Sequence, residues 1–339
     1  DKVITQTEQH DKSGLGKTSL LNAGVLPKFT EDQNYLACFP RFFAYDGREH
    51  LDPLAEILHQ LGALAGNDLF FPALAGENAA PSLWRLKKSI EWSNRERTGI
   101  LFVFDQFEEL FSYPPDRVDA FGRQFAELAL NRMPEAFQQQ LYAAIATDPA
   151  FAERHAAEID FIEDAPQFKI VIGIRSDRMS FLDRLKPYLP GILKNTFELQ
   201  ALNREQARAA VVLPAQAPGV FASPSFEYAP ETLESILNFL TADAAKPVEG
   251  TQLQVICQYA ENQVRQTGQV LRPEDLGNIS DIYKNYYDSI LDSFEPEEQL
   301  RVRRLIEEGL IFESEKRRLS LFEGQILHAW KIRPESLAA

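Results

Sequence analysis

Short continuous apolar runs alternate along the chain with longer stretches whose apolar residues recur every three or four positions. "GILFVFD" (99–105) and "FKIVIGI" (168–174) have no polar breaks, the pattern of parallel strands covered on both faces. "TFELQAL" (196–202) is a third, shorter run. The aromatic "YLACFPRFFAY" (35–45) is β-prone, and its Pro40 suggests an edge or a break. Between these, the spacing predicts helices over 13–26, closed by Gly24 and Pro27, over 51–64, over 82–97 and across a long region of about 116–147. Strands alternating with helices indicate an α/β doubly wound sheet.

After Asn203 the pattern becomes helical. "NREQARAAVVLP" opens with Asn203 and has Gln206 three residues on, a capping-box signature, and it stops at Pro214. Helical spacing continues to about 292, with loops rich in Pro, Ala and Gly. The tail "EQLRVRRLIEEGLIFESEKRRLSLF" reads as a helix closed by Gly309, then a hairpin turning near Glu315–Lys316, which suggests a winged-helix unit. The expected division is 1–202, 203–278 and 279–330, with no internal repeat of fixed period.

The stretch "HDKSGLGKTSLLNAG" (10–24) carries the clearest candidate chemistry. Glycines let backbone N–H groups turn inward around phosphate oxygens, and a helix N-terminus adds partial positive charge. Ser13, Gly14, Leu15, Gly16, Lys17, Thr18 and Ser19 form the expected grip, with Lys17 reaching the β- and γ-phosphates and the Thr18 hydroxyl ligating Mg²⁺. Asp11 stands where this motif places its first glycine. The lead-in "TQTEQH" is polar where a buried strand should feed the loop, and Val3 and Ile4 lie too far upstream to end at it. Two readings stay open: an atypical loop, or a join at which residues are missing just before Lys12 or Ser13.

"ILFVFDQFEELF" puts Asp105 at the carboxyl end of a buried strand, where open α/β sheets bind ligands and where a carboxylate can hold the metal opposite Thr18. Glu108 and Glu109 begin the next helix, near enough to position or deprotonate a water; acids there also simply favour a helix N-terminus. Gln106 follows Asp105, and an amide can orient a water but cannot take its proton, so slow hydrolysis is expected. Arg175 ends the next strand and can sense a γ-phosphate or pair with Asp177. Pro214 can pack on the nucleotide base or only stop its helix.

Composition narrows the classes. The hydrophobic share of 45% over 339 residues is that of a globular protein with a sizeable core. A net charge of −15 disfavours a dedicated nucleic-acid or anionic-membrane binder. Cys38 and Cys257 are far apart and make neither a disulfide framework nor a metal spacing, which fits a reducing cytoplasm. The five histidines show no metal-site spacing either. No run approaches the roughly 20 apolar residues of a membrane span, and no signal peptide is visible. The chain begins with Asp1 and not with Met, so a piece of a longer protein is expected.

"SGLGKTSLLNAGVLP", "FVFDQFEELF", "IVIGIRSD" and "LNREQARAAVVLPA" occur in one order. Together they resemble a bacterial STAND-class NTPase of the novel-STAND group, over about residues 12–215 and more weakly to about 325. The resemblance implies an α/β P-loop NTPase with a parallel sheet flanked by helices, followed by an all-helical domain and a winged-helix-like domain. It is similar in its core to NOD-like receptors. It implies ATP or ADP with Mg²⁺ as cofactors, Lys17 and Thr18 on phosphate and metal, Asp105 on the metal, Arg175 as sensor and Pro214 touching the nucleotide. It further implies signalling, often antiviral defence, by oligomerisation. An unknown trigger, a phage protein among the candidates, would act through an effector outside this segment.

Two other classes compete with the switch. A conventional ATPase remodeller would want a Glu beside Asp105, where Gln106 stands. A winged-helix DNA-binding regulator would want a basic surface, but residues 295–323 carry eight acidic against six basic side chains. Nucleic acid and membrane are therefore not expected as partners of this segment.

Overall fold

The structure is a computed structural model that describes residues 3–8, 16–30, 35–43, 45, 47, 52–66, 69–74, 82–93, 99–219, 221, 223–241, 248, 250–267, 269–312, 317–318, 321, 323–333 and 336. The main division of the chain falls between Leu199 and Gln200.

In the first unit, β1 (Val3–Glu8), β2 (Leu36–Cys38), β3 (Ile100–Phe104), β4 (Phe168–Arg175) and β5 (Thr196–Leu199) form one parallel sheet in the order β2-β3-β4-β1-β5. β1 is internal, running Val3↔Ile170 to Glu8↔Arg175 against β4 and Thr5↔Thr196 to Glu8↔Leu199 against β5. The polar lead-in, expected to be a poor strand to feed the loop, is thus part of a strand that starts at Val3 and runs on to Glu8. Strand identity here comes from backbone pairing on both sides, and Val3, Ile4, Thr5 and Thr7 are β-branched residues that suit it. β1 ends at Glu8 and the next helix starts at Lys17, so a strand does feed the loop. Asp11 and the loop residues Ser13, Gly14 and Leu15 lie outside the described residues.

That helix also differs from expectation. α1 (Lys17–Leu20) continues through a wide π turn (Leu21–Val25) into α2 (Leu26–Thr30), past Gly24 and Pro27. Leu26 N–H bonds to Leu21 O, five residues back, just before Pro27, which has no N–H to offer. Leu21 is fully buried against Leu101, Val103 and Val171 on one face of the sheet. On the other face, Phe102, Phe104, Ile170 and Ile172 pack with α3 (Ala55–Ala65), α4 (Leu83–Ser93) and α5 (Pro115–Ala129).

The expected long helix is broken. α5 ends near Asn131, whose φ is +48°, and α6 (Glu135–Thr147) starts only after Pro134. α7 (Phe151–Arg154) and α8 (Ala156–Ile162) follow. The third apolar run becomes β5, an exposed edge strand rather than a buried one.

α4 was legible as a helix, but its charges are inside. Lys87 and Lys88 are fully buried, and Arg85 and Glu91 nearly so. Lys87 pairs with Glu91, which also accepts from Gln167 N at 2.8 Å. Lys88 donates to the Phe161 and Ile162 carbonyls at 2.9 and 3.1 Å and to that of Asp164. Arg85 donates to the carbonyls of Phe70 and Phe71. These cations bind segments that carry a second aromatic core of Phe70, Phe71, Trp84, Phe137 and Phe151.

The second unit opens with α9 (Arg204–Gln216). Asn203 Oδ1 accepts from Gln206 N at 2.9 Å and Gln206 Oε1 accepts from Asn203 N at 3.0 Å, the reciprocal cap that the sequence announces. α9 runs two residues past Pro214, which sits in its last turn and does not stop it. β6 (Glu227–Tyr228), α10 (Pro230–Leu240), α11 (Gly250–Thr267), β7 (Val270–Leu271), α12 (Pro273–Leu276) and α13 (Ile279–Asp292) share one core with α9. α14 (Pro296–Arg304), a π turn closed by Gly309, the antiparallel pair β8 (Ile311–Phe312) and β9 (Arg317–Arg318), and α15 (Glu323–Ala329) follow. The expected turn at Glu315–Lys316 lies outside the described residues. Among the described residues, no helix is long and apolar enough to cross a membrane.

Candidate phosphate and metal site

Leu21 anchors α1 to the sheet beside Val103. Thr18 is one turn earlier on the same helix face, and Asp105 is two residues further along β3's direction. The two therefore meet: the Thr18 hydroxyl donates to Asp105 Oδ2. Asp105 Oδ1 accepts from Gln106 N at 3.0 Å. The two residues read from sequence as metal ligands thus lie together, 87 positions apart in the chain.

Two features hold Asp105. The Gln106 N–H donates back to the carboxylate it follows, and Gln106 itself is left-handed, with φ 52° and ψ 44°, where the chain leaves β3. Gly173, the β4 residue next in register, leaves the space: a Cβ there would lie 3.1 Å from Asp105 Oδ1 and 3.5 Å from Phe104 O. Sequence reading missed Gly173, although a glycine inside a buried apolar run signals close approach.

Of the predicted phosphate grip, Gly16 has φ +87°, a conformation that favours glycine, Lys17 opens α1 half-buried, and Ser19 is exposed beside Thr18. Glu108 and Glu109 lie in a 3₁₀ turn (Phe107–Ser112) directly after Gln106. Glu108 Oε2 is buried and has no hydrogen-bond partner among the described residues, an oxygen that calls for a water. Burial and the neighbouring Glu108 push the Glu109 carboxyl up from its ordinary value, opposed by Arg178 and Arg175. Arg175, at the end of β4, makes a two-toothed pair with Asp177, Nε to Oδ1 and Nη2 to Oδ2 both at 3.0 Å. Pro214 is exposed on α9 of the second unit.

The donor set fits a hard cation. A hydroxyl and a carboxylate supply two oxygens, and phosphate and water supply the rest in magnesium sites of this kind. Among the described residues, no three His, Cys, Asp or Glu side chains gather into a metal cage.

The sequence profile of Novel STAND NTPase 1 matches residues 10–321. The chain belongs to this family. The Novel STAND NTPase 1 match spans both units and includes the Thr18–Asp105 pair. Among curated proteins none matches the sequence. Among solved structures, the chain is similar to the ORC2 protein of Aeropyrum pernix in ADPNP–ADP complexes, at 13% identity and TM-score 0.51, over 98% of this chain and 76% of that one. Cdc6p of Pyrobaculum aerophilum matches at 16% identity and TM-score 0.46, over 97% of this chain and 78% of that one. At such identities the likeness to ORC2 concerns the fold alone.

Proposed function

We propose that this Novel STAND NTPase 1 chain is an ATP- and ADP-binding oligomerisation switch with weak ATPase activity, whose Thr18 and Asp105 would hold Mg²⁺. The observation that carries the reading is the Thr18–Asp105 hydrogen bond at the carboxyl edge of a parallel sheet whose internal strand β1 precedes the glycine loop. Bound Mg²⁺ would neutralise charge on the β- and γ-phosphates. Lys17 and the backbone of residues 14–19 bind the β-phosphate, Asp105 and Thr18 hold the metal, and Glu108 orients a water. Gln106 cannot take a proton, so turnover is slow, which suits a switch. Arg175 acts as sensor by exchanging Asp177 for the γ-phosphate. Residues 203–278 form a helical domain whose Pro214 reaches the nucleotide, and 279–330 a winged-helix-like one. The family resemblance supports a role in bacterial antiviral signalling, with trigger and effector outside this segment.

Calorimetry with ATP and ADP, with and without Mg²⁺, tests the site. Lys17→Ala should weaken both nucleotides by about a hundredfold or more, because a charge-assisted phosphate contact is lost from each. Equal binding by the variant and the unaltered chain would refute the assignment.

A further inference from the structure

Arg41 stands three residues beyond the end of β2, and its backbone forms a parallel bridge with Asp105. Residues bridged in parallel strands share a face and lie about 4.8 Å apart from strand to strand. The neighbours agree: Phe39 packs on the α1 side with Leu21 and Val103, whereas Phe42 is buried on the opposite side with Phe104 and Phe107. Arg41 is therefore beside Asp105, on the sheet face that carries Thr18.

Arg41 does not neutralise the acid next to it. Both Asp105 oxygens are engaged, one by Thr18 and one by Gln106 N–H. Arg41 is exposed, and among the described residues it makes no ion pair and no side-chain hydrogen bond. Arg175, on the other flank, is already committed to Asp177. A guanidinium in register with a metal-binding carboxylate, yet left for solvent, suits an anion that arrives with the metal.

Strand order says which anion. Lys17 follows the loop after β1, and the metal pair lies at β3, two strands away, with β4 between them. The next strand outward is β2. A phosphate chain gripped at Lys17 and crossing to the metal presents only its last group to that flank.

We propose that Arg41 contacts the terminal phosphate of a nucleoside triphosphate and discriminates it from the diphosphate. This rests on the nucleotide-site reading above. The test is calorimetry on the whole chain with Mg²⁺, using adenylyl imidodiphosphate and ADP against the unaltered protein, Arg41→Ala, Arg41→Lys and Lys17→Ala. Arg41→Ala should bind the triphosphate analogue about tenfold or more weakly and ADP as before, since one charge-assisted contact is lost from the former alone. Arg41→Lys should fall between, keeping the charge but not the fork. Thermal denaturation of Arg41→Ala should match the unaltered chain, because the side chain is exposed. Equal loss of both nucleotides, or loss of neither, would overturn the Arg41 assignment while leaving the site standing if Lys17→Ala still weakens both. If the unaltered chain binds neither nucleotide, the site reading falls and this proposal with it.

Discussion

Gln106 shows how the site is built at the scale of one residue. A non-glycine residue in the left-handed region costs about 1 kcal/mol or more, and here it marks where the chain turns from β3 into the 3₁₀ turn that carries Glu108 and Glu109. The next residues add an electrostatic cost. Glu109 is half-buried beside Glu108, so its folded carboxyl holds a proton to higher pH than the unfolded one. The sign follows. Below the ordinary carboxylate range both states are protonated and nothing is lost; as pH rises through the raised folded value, the unfolded state ionises first and stability falls. Glu109→Gln should therefore raise the melting temperature at pH 7 by about a degree or two, and the gain should vanish as pH drops to about 4. A gain that persists unchanged at pH 4 would show that the effect is not ionisation. The place of Asp105 at the end of a buried strand was legible from "FVFD"; the left-handed turn after it was not, because Gln carries no sequence signal for that conformation.

At the scale of elements, α4 departs most from its sequence pattern. Arg85, Lys87, Lys88 and Glu91 would cover an exposed helix face, yet the structure closes α6 and α8 over them. Burial pushes the Lys88 ammonium down, while Glu91, Asp164 and Glu163 pull it up, and three carbonyls accept its protons. Lys88→Met keeps much of the volume but leaves those carbonyls unpaired. It should cost about 3–5 kcal/mol, a typical loss when one partner of a buried charged set is removed, measured by urea denaturation. A cost under about 1 kcal/mol would mean that water already reaches the site. The helix after the loop makes the complementary point: Gly24 and Pro27 look like stops, but a π turn absorbs them and Leu21 still packs beside Val103.

For the whole molecule, the proposed switch sets a quantitative demand. Moving a two-state balance from 1:99 to 99:1 takes about 5.5 kcal/mol of differential affinity. A single γ-phosphate contact of the charge-assisted kind supplies about 1.5–3 kcal/mol. ATP alone should therefore leave this chain mostly monomeric, and a trigger must add the remainder. Light scattering on the intact protein with ATP, with trigger and with both is the measurement. Full assembly with neither, or none with both, would defeat the switch.

Local signals fixed much of the architecture. Unbroken apolar runs gave β3 and β4, the Asn203–Gln206 pair gave the start of α9, and loop and acid motifs gave Thr18 and Asp105. Each rests on neighbours within a few positions, which periodicity and capping record directly. Other features depend on partners far along the chain. β1 is a strand because β4 and β5 pair with both its edges, whatever its polarity. α4 hides its charges because carbonyls from residues 161–164 reach them. Gly173 is small because Asp105 leans over it, and Arg41 joins the site only because β2 lies beside β3. Pairing across a sheet is set by the order of strands in space, which no window of sequence contains.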